Sequence, residues 1–213
     1  VEKGRNVDGP VMLVDAADCA GGGAPGDSVA MLRALLDLGV TERTHVMVVD
    51  PDAAAACAEA GIGATVSFEL GYHVDRKWGT PLPVTGVVRL VSDGRFLYTG
   101  GIYGGTFGMM GRSAVIEIGG TEVLIMSRPT YDWADEQYRS VGLDARQAKF
   151  IGVKNPMNYR YAYAGVAKAS YVVNTPGPTP ADIRRLPFKH RRRPFFPFDE
   201  DINDLDFPLT LNR

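Results

Sequence analysis

The sequence predicts an α/β fold, with a mixed sheet built from an N-terminal β-α-β-α-β series, a central antiparallel meander and a Pro/Arg/Phe-rich extended C-terminal arm. Three observations carry this reading. Short apolar runs alternate with helical-period segments up to residue 70, β-branched stretches divided by turn dipeptides fill residues 84–126, and periodicity is lost after residue 173. At 213 residues, with 45% hydrophobic and 23% charged side chains, the chain can bury a substantial core without disulfides.

The first element is the apolar run Val11 to Val14, the pattern of a strand buried on both faces. It enters the glycine-rich stretch Asp15 to Asp27. A helix follows, its apolar positions Val29, Leu32, Leu35, Leu36 and Leu38 recurring at helical spacing, with Pro25 and Asp27 as start signals and Gly39 as a C-terminal cap. His45 to Val49 reads as a second buried strand, Pro51 to Gly61 as an alanine-rich helix and Ala64 to Leu70 as a third strand, most economically in a parallel sheet. From Val84 to Met126, turns at Asp93-Gly94 and Gly119-Gly120 separate the strands of the meander. Asp132 to Val141 is a helix, Phe150 to Val153 a strand, Tyr159 to Ala167 a helix and Ser170 to Val173 the last strand. The expected domain is therefore residues 1–173. Residues 174–213 form an arm, rich in proline, then basic, then aromatic and acidic through Glu200 and Asp201, packed on the domain or on a partner.

A formal charge of -2 gives no global reason to bind nucleic acid or membrane. No apolar run approaches the roughly 20 residues that span a bilayer, and no signal-type segment opens the chain. Cys19 and Cys57 have no paired spacing, which fits a reducing, cytoplasmic compartment. The start at Val1 points to trimming or to excision from a longer polypeptide.

The most specific local feature is the segment from Asp15 to Asp27, which holds Asp18, Gly21, Gly22, Gly23 and Gly26 between a strand and a helix. Glycines let backbone approach a ligand closely, and a helix start offers unpaired N–H groups, so an anion or a polar substrate is one expectation. The alternative is a tight connection in which Asp18 or Asp27 caps the helix. Gly21, Gly23 and Gly26 also match a dinucleotide fingerprint, with Asp50 ending the next strand. In that fingerprint the first glycine follows the strand almost directly, whereas here two carboxylates intervene and Pro25 restricts the turn.

A second polar cluster, Lys154, Asn155, Asn158, Tyr159 and Arg160, lies between a buried strand and a helix, where α/β folds present ligand contacts. It equally fits a solvated loop with a cap at Asn158. The three histidines, His45, His73 and His190, have no metal-ligand spacing, and Asp15 with Asp18 is too small a set. No nucleophile elbow occurs, so no catalytic or metal residue is assigned in this chain. The basic run Lys189 to Arg193 is followed closely by acids, which favours packing over phosphate contact, with Phe195, Phe196 and Phe198 anchoring the arm in surface grooves.

Taken together, VDAADCAGGGAPGDS, VVDPDAAAACAEAGIGATVSFELG, LVSDGRF, AVIEIGGTEVLIMSRPTYDWADEQYRSVGLD, IGVKNPMNYRYAY and RRLPFKHRRRPFFPFDED resemble the C-terminal domain of the MlrC (microcystinase C-like) metallopeptidase family over nearly the whole chain. The resemblance implies a polypeptide about twice this long, on typical domain sizes. Its N-terminal domain would supply zinc and the catalytic groups, while this half completes the cleft for a peptide or amide substrate. On that basis Asp18, Gly21, Gly22, Gly23 and Asp27 form the loop facing the partner domain or substrate. Lys154, Asn158 and Arg160 form a second edge that recognises a peptide carboxylate. Family members often carry asparagine at the position of Cys19 and histidine at that of Asn158, which puts any proton-transfer role of the latter in doubt. The competing readings are a non-catalytic binding or assembly module using the glycine-rich loop, and a dinucleotide enzyme. A homo-oligomer is left open.

Overall fold

The structure, a computed structural model, describes residues 1–199. Two compact units are present, one spanning Val1–Ala181 and the other beginning at Asp182.

The first unit is built on an eight-stranded sheet in the order β10-β1-β9-β2-β8-β7-β4-β3. β1 (Val11–Asp15) lies between β9 (Phe150–Val153) and β10 (Ala169–Val173), and β2 (Thr44–Val49) lies between β9 and β8 (Thr121–Met126), all five parallel. β7 (Ser113–Ile118), β4 (Leu82–Ser92) and β3 (Thr65–Leu70) continue the sheet antiparallel. A separate hairpin pairs β5 (Arg95–Leu97) with β6 (Phe107–Met109). The Gly119-Gly120 turn joins β7 to β8, as the sequence indicates.

Alternation along the central strands sorts side chains into two apolar layers. Val11, Leu13, Val46, Val48, Val123 and Ile125 face one layer with α2 (Ala30–Asp37) and α3 (Pro51–Ala60). Met12, Val14, Met47, Val49, Leu124 and Met126 face the other, where Tyr138 of α4 (Glu136–Ser140) and Tyr159 of α5 (Tyr159–Ala162) pack. Every residue of β1 and β2 is buried, which explains why those strands read as unbroken apolar runs.

Several expectations need correction. β3 runs antiparallel at the far edge, and β9 separates β1 from β2, so the N-terminal series does not form a contiguous parallel sheet. The reason is legible in β3 itself. Thr65, Ser67 and Glu69 are exposed, the one-sided alternation of a half-solvated antiparallel strand. The helix read over Asp132 to Val141 is confined to Glu136–Ser140, because Glu136 accepts from the Ala134 N–H and Asp132 is drawn to β9, holding the preceding residues extended. The one read over Tyr159 to Ala167 gives way to turns after Ala162. A four-residue helix at Glu2–Arg5 was not foreseen.

Past Val173, Thr175 donates to Asp15 and Thr179 donates to the Ala16 carbonyl, so the chain remains part of the first unit through Ala181. In the second unit Phe188, Phe195 and Phe198 stack on one another and Arg191 lies 3.5 Å over the Phe198 ring. These phenylalanines pack on one another within their own unit, although Phe188 and Phe195 remain partly exposed and Phe196 more so. The expected acidic positions Glu200 and Asp201 and the remainder of the arm lie outside the described residues. Among the described residues no helix is long and apolar enough to cross a membrane.

Candidate functional site

The chain turns into loops at the carboxyl ends of β1, β8 and β9, where open α/β sheets receive ligands. Two neighbouring arrangements form there. The first is an ionic network. Asp18 accepts from Gly26 N–H at 2.8 Å, Ser28 N–H at 2.8 Å and Lys154 Nζ at 2.5 Å. Lys154 Nζ also donates to the Ser28 carbonyl at 3.1 Å and lies 3.8 Å from Asp15 Oδ2. Asp15 accepts from Ala17 N–H at 3.1 Å and from Thr175 Oγ1 at 2.5 Å. Burial pulls the Lys154 pKa down, but the Asp18 and Asp15 carboxylates outweigh it and hold the ammonium above its ordinary value.

The glycine-rich loop is thus folded around a buried carboxylate. Gly26 takes φ +78°, a conformation costly for other residues, and in it turns its N–H onto Asp18. Asp27 is also buried and accepts from Val74 N–H at 2.9 Å and Asp75 N–H at 3.0 Å, tying the loop to the segment after β3. It does not cap α2, whose N-cap residue is Val29. Burial raises the Asp27 pKa. Asp132 accepts from Lys154 N–H at 2.7 Å through Oδ2, while its buried Oδ1 has no hydrogen-bond partner among the described residues, and desolvation pushes its pKa up to about 7. The enclosed space beside Asp15, Ser28 and Lys154 is about 10 Å³, room for roughly one water.

The second arrangement is an open cleft of about 590 Å³ lined by Gly21, Gly101–Tyr103, Tyr131, Trp133, Met157 and Asn158. Tyr103 stacks between Tyr98, with centroids at 5.4 Å, and Tyr131 at 5.9 Å, while Trp133 meets Tyr161 at 6.1 Å. Asn158 Nδ2 donates to the Tyr131 hydroxyl, and Asn155 Oδ1 accepts from Met157 N–H at 3.0 Å and Asn158 N–H at 3.1 Å. Gly21 is needed where it sits, since a Cβ there would lie 2.8 Å from the Tyr131 ring.

The residues singled out in the sequence therefore separate. Gly21 and Asn158 both line the cleft, whereas Gly22 abuts Thr179 and Gly23 takes φ +91° with nothing within 4 Å of where a Cβ would lie. Asp18 and Lys154 meet each other in the buried network, so the Lys154 ammonium does not present itself to an incoming carboxylate. Asn158 gives its side chain to Tyr131 and makes no side-chain cap. Arg160 lies over Tyr159 beside a different depression, with Tyr163 and Lys168. Sequence reasoning missed the cleft aromatics and Asp132. The available signal was the run Thr130, Tyr131, Asp132 and Trp133 in the loop that follows the buried strand β8.

The dinucleotide reading meets a specific obstacle. Asp50 is spent on the N–H groups of Ala53 at 3.0 Å and Gly71 at 2.9 Å, capping α3. Metal ligation fares no better. Among the described residues no three His, Cys, Asp or Glu side chains gather around a common point. The cation between Asp15 and Asp18 is the Lys154 ammonium itself. His45 is buried against Glu122 at 2.8 Å, at the opposite end of β2 from the cleft. Cys19 and Cys57 are both free and buried, and burial pushes the Cys57 thiol up to about 11.

Fold and cleft together define a mixed-sheet α/β domain that opens at the carboxyl ends of its parallel strands. Residues 13–190 match the family described as MlrC C-terminus, and the chain belongs to that family. It is 27% identical over 190 residues to Microcystinase C from Sphingomonas sp, a match covering 89% of this chain and 36% of that protein. A crystal structure provisionally assigned as a metallopeptidase, from Mesorhizobium sp. BNC1, has a TM-score of 0.83 at 28% identity and covers 93% of this chain and 40% of its own. The chain therefore spans two fifths or less of these relatives, which carry an additional N-terminal domain.

Proposed function

We propose that this chain is the substrate-side domain of a zinc-dependent peptidase or amidohydrolase whose metal site lies in an N-terminal domain outside this sequence. The observation that carries the reading is the partial match, in which nearly the whole of this fold accounts for 40% of a structure provisionally assigned as a metallopeptidase. Two features of the chain support it. The cleft opens where α/β sheets receive ligands, and the clustered carboxylates already have their cation in Lys154. In this reading bond cleavage belongs to the other domain. Gly21 and Asn158 edge the surface that holds the peptide or amide, Gly22 and Gly23 continue it toward the partner domain, and Asp18 and Lys154 keep that loop in one shape. A rigid rim of this kind serves orientation and water exclusion.

The test uses the complete gene product. Amide hydrolysis that is lost on chelation, restored by zinc and absent from this chain alone is the expected result. Hydrolysis by this chain alone, or a complete product that neither binds metal nor cleaves amides, overturns the proposal.

A further inference from the structure

We infer that the cleft between Gly21, Tyr103, Tyr131 and Trp133 is a side-chain subsite for an uncharged, apolar residue, preferably aromatic, of an amide ligand. The inference rests on the hydrolase reading above and deepens it by naming a substrate class.

Four features of the chain point to this occupant. The space of about 590 Å³ falls inside the ~300–1,000 Å³ range of small-molecule sites. Its wall carries the rings of Tyr103, Tyr131 and Trp133, with Tyr103 and Tyr131 at a centroid spacing of 5.9 Å and the buried Tyr98 backing Tyr103 at 5.4 Å, so another ring meets edge and face partners. Among the described residues no Asp, Glu, Lys, Arg or His lines it. A charged side chain entering would lose hydration without an opposite charge to replace it. The carboxylates nearby, Asp18 and Asp132, are turned to Lys154 and buried. Finally, Ile102 and Met157 line the cleft while 87% and 84% exposed, an apolar rim that gains by being covered.

The polar provision of the cleft matches an amide. Asn158 donates into the Tyr131 hydroxyl, which leaves that hydroxyl's own hydrogen free to point at a ligand carbonyl. The Gly21 approach fixes the Tyr131 ring, and the Asn155 turn fixes Asn158, so the donor is set before the ligand arrives. The apolar part of the ligand supplies affinity and the amide supplies direction.

Trp133 makes this measurable in the chain itself, without metal or hydrolysis. In a Trp78→Phe background the only remaining indole is in the cleft. Titration with N-acetyl-phenylalaninamide should give a saturable change in Trp133 fluorescence, with a Kd at least tenfold lower than for N-acetyl-lysinamide or the matching aspartate amide, the scale on which apolar pockets discriminate. Ile102→Glu with Met157→Glu changes two exposed rim residues and leaves the fold and melting temperature in place. It should weaken binding of the phenylalanine amide at least fivefold. No saturable response, equal response to the charged amides, or an unchanged response in the double variant overturns the inference. A Trp133 response in a protein whose complete gene product shows no metal-dependent hydrolysis keeps the subsite and removes the peptidase reading. Metal-dependent hydrolysis with no Trp133 response and no side-chain preference does the reverse.

Discussion

The two arrangements at the carboxyl ends of the strands are opposites. One holds Asp15, Asp18, Asp27, Asp132 and Lys154, all buried, and leaves beside Asp15 and Lys154 a space of only about 10 Å³. The other has room for a ligand and, among the described residues, no formal charge in its lining. Charged residues in a loop between strand and helix invite a reading as ligand contacts, yet here they are the interior of the loop. Burying a carboxylate demands hydrogen-bond donors and a counter-ion, and Gly26, Ser28 and Lys154 supply them. The residues left to face outward are the ones with nothing to neutralise.

The largest break in this contrast is expected from Asp18→Ala. It orphans the Gly26 and Ser28 N–H groups and leaves the Lys154 ammonium without its nearest partner, a loss of roughly 3–5 kcal/mol readable by urea unfolding.

Next comes Asp132→Asn, which acts through pH. The folded Asp132 pKa of about 7 lies above its unfolded value, so the folded state binds the extra proton between about pH 4 and 7. Stability from this group is therefore present at low pH and falls as pH rises through that window. Raised Asp27 acts in the same sense. Asparagine keeps an acceptor for Lys154 N–H and removes the titration. The variant should gain on the parent by a few kcal/mol above pH 7 and by little near pH 4, seen as a melting-temperature difference that grows with pH. A difference that is flat with pH contradicts the assignment.

Gly21→Ala sits on the border between the two regions. Its Cβ would press the Tyr131 ring, costing ~1–3 kcal/mol and narrowing the cleft, so amide binding should weaken while the Asp18 network persists. The smallest effect is expected from Arg160→Ala, whose side chain serves neither region. Stability should change by less than ~0.5 kcal/mol and cleft binding not at all.

This contrast also explains what the sequence discloses. β1 and β2 are legible because full burial requires unbroken apolar residues, and α3 because Asp50, Pro51 and Gly61 mark its ends. The position of β9 between β1 and β2 is not local information, since it depends on pairing residues about 140 apart in sequence. The same holds for the site. The glycine-rich loop announces itself, but which side of Asp18 faces Lys154 depends on bringing β1 and β9 together. Tyr131, Trp133 and Met157 look like ordinary core residues until the sheet places them at one rim.

The most direct test is a double-mutant cycle on Lys154 and Asp18, measured as unfolding free energy together with amide binding at Trp133. If Lys154 is the counter-ion of the loop, Lys154→Met alone is destabilising by roughly 3–5 kcal/mol, because it leaves Asp18 buried and uncompensated. Adding Asp18→Asn then costs far less than Asp18→Asn alone, with a coupling of at least ~1 kcal/mol. A Lys154→Met protein within ~0.5 kcal/mol of the parent that has lost amide binding would contradict the account and make Lys154 a ligand group.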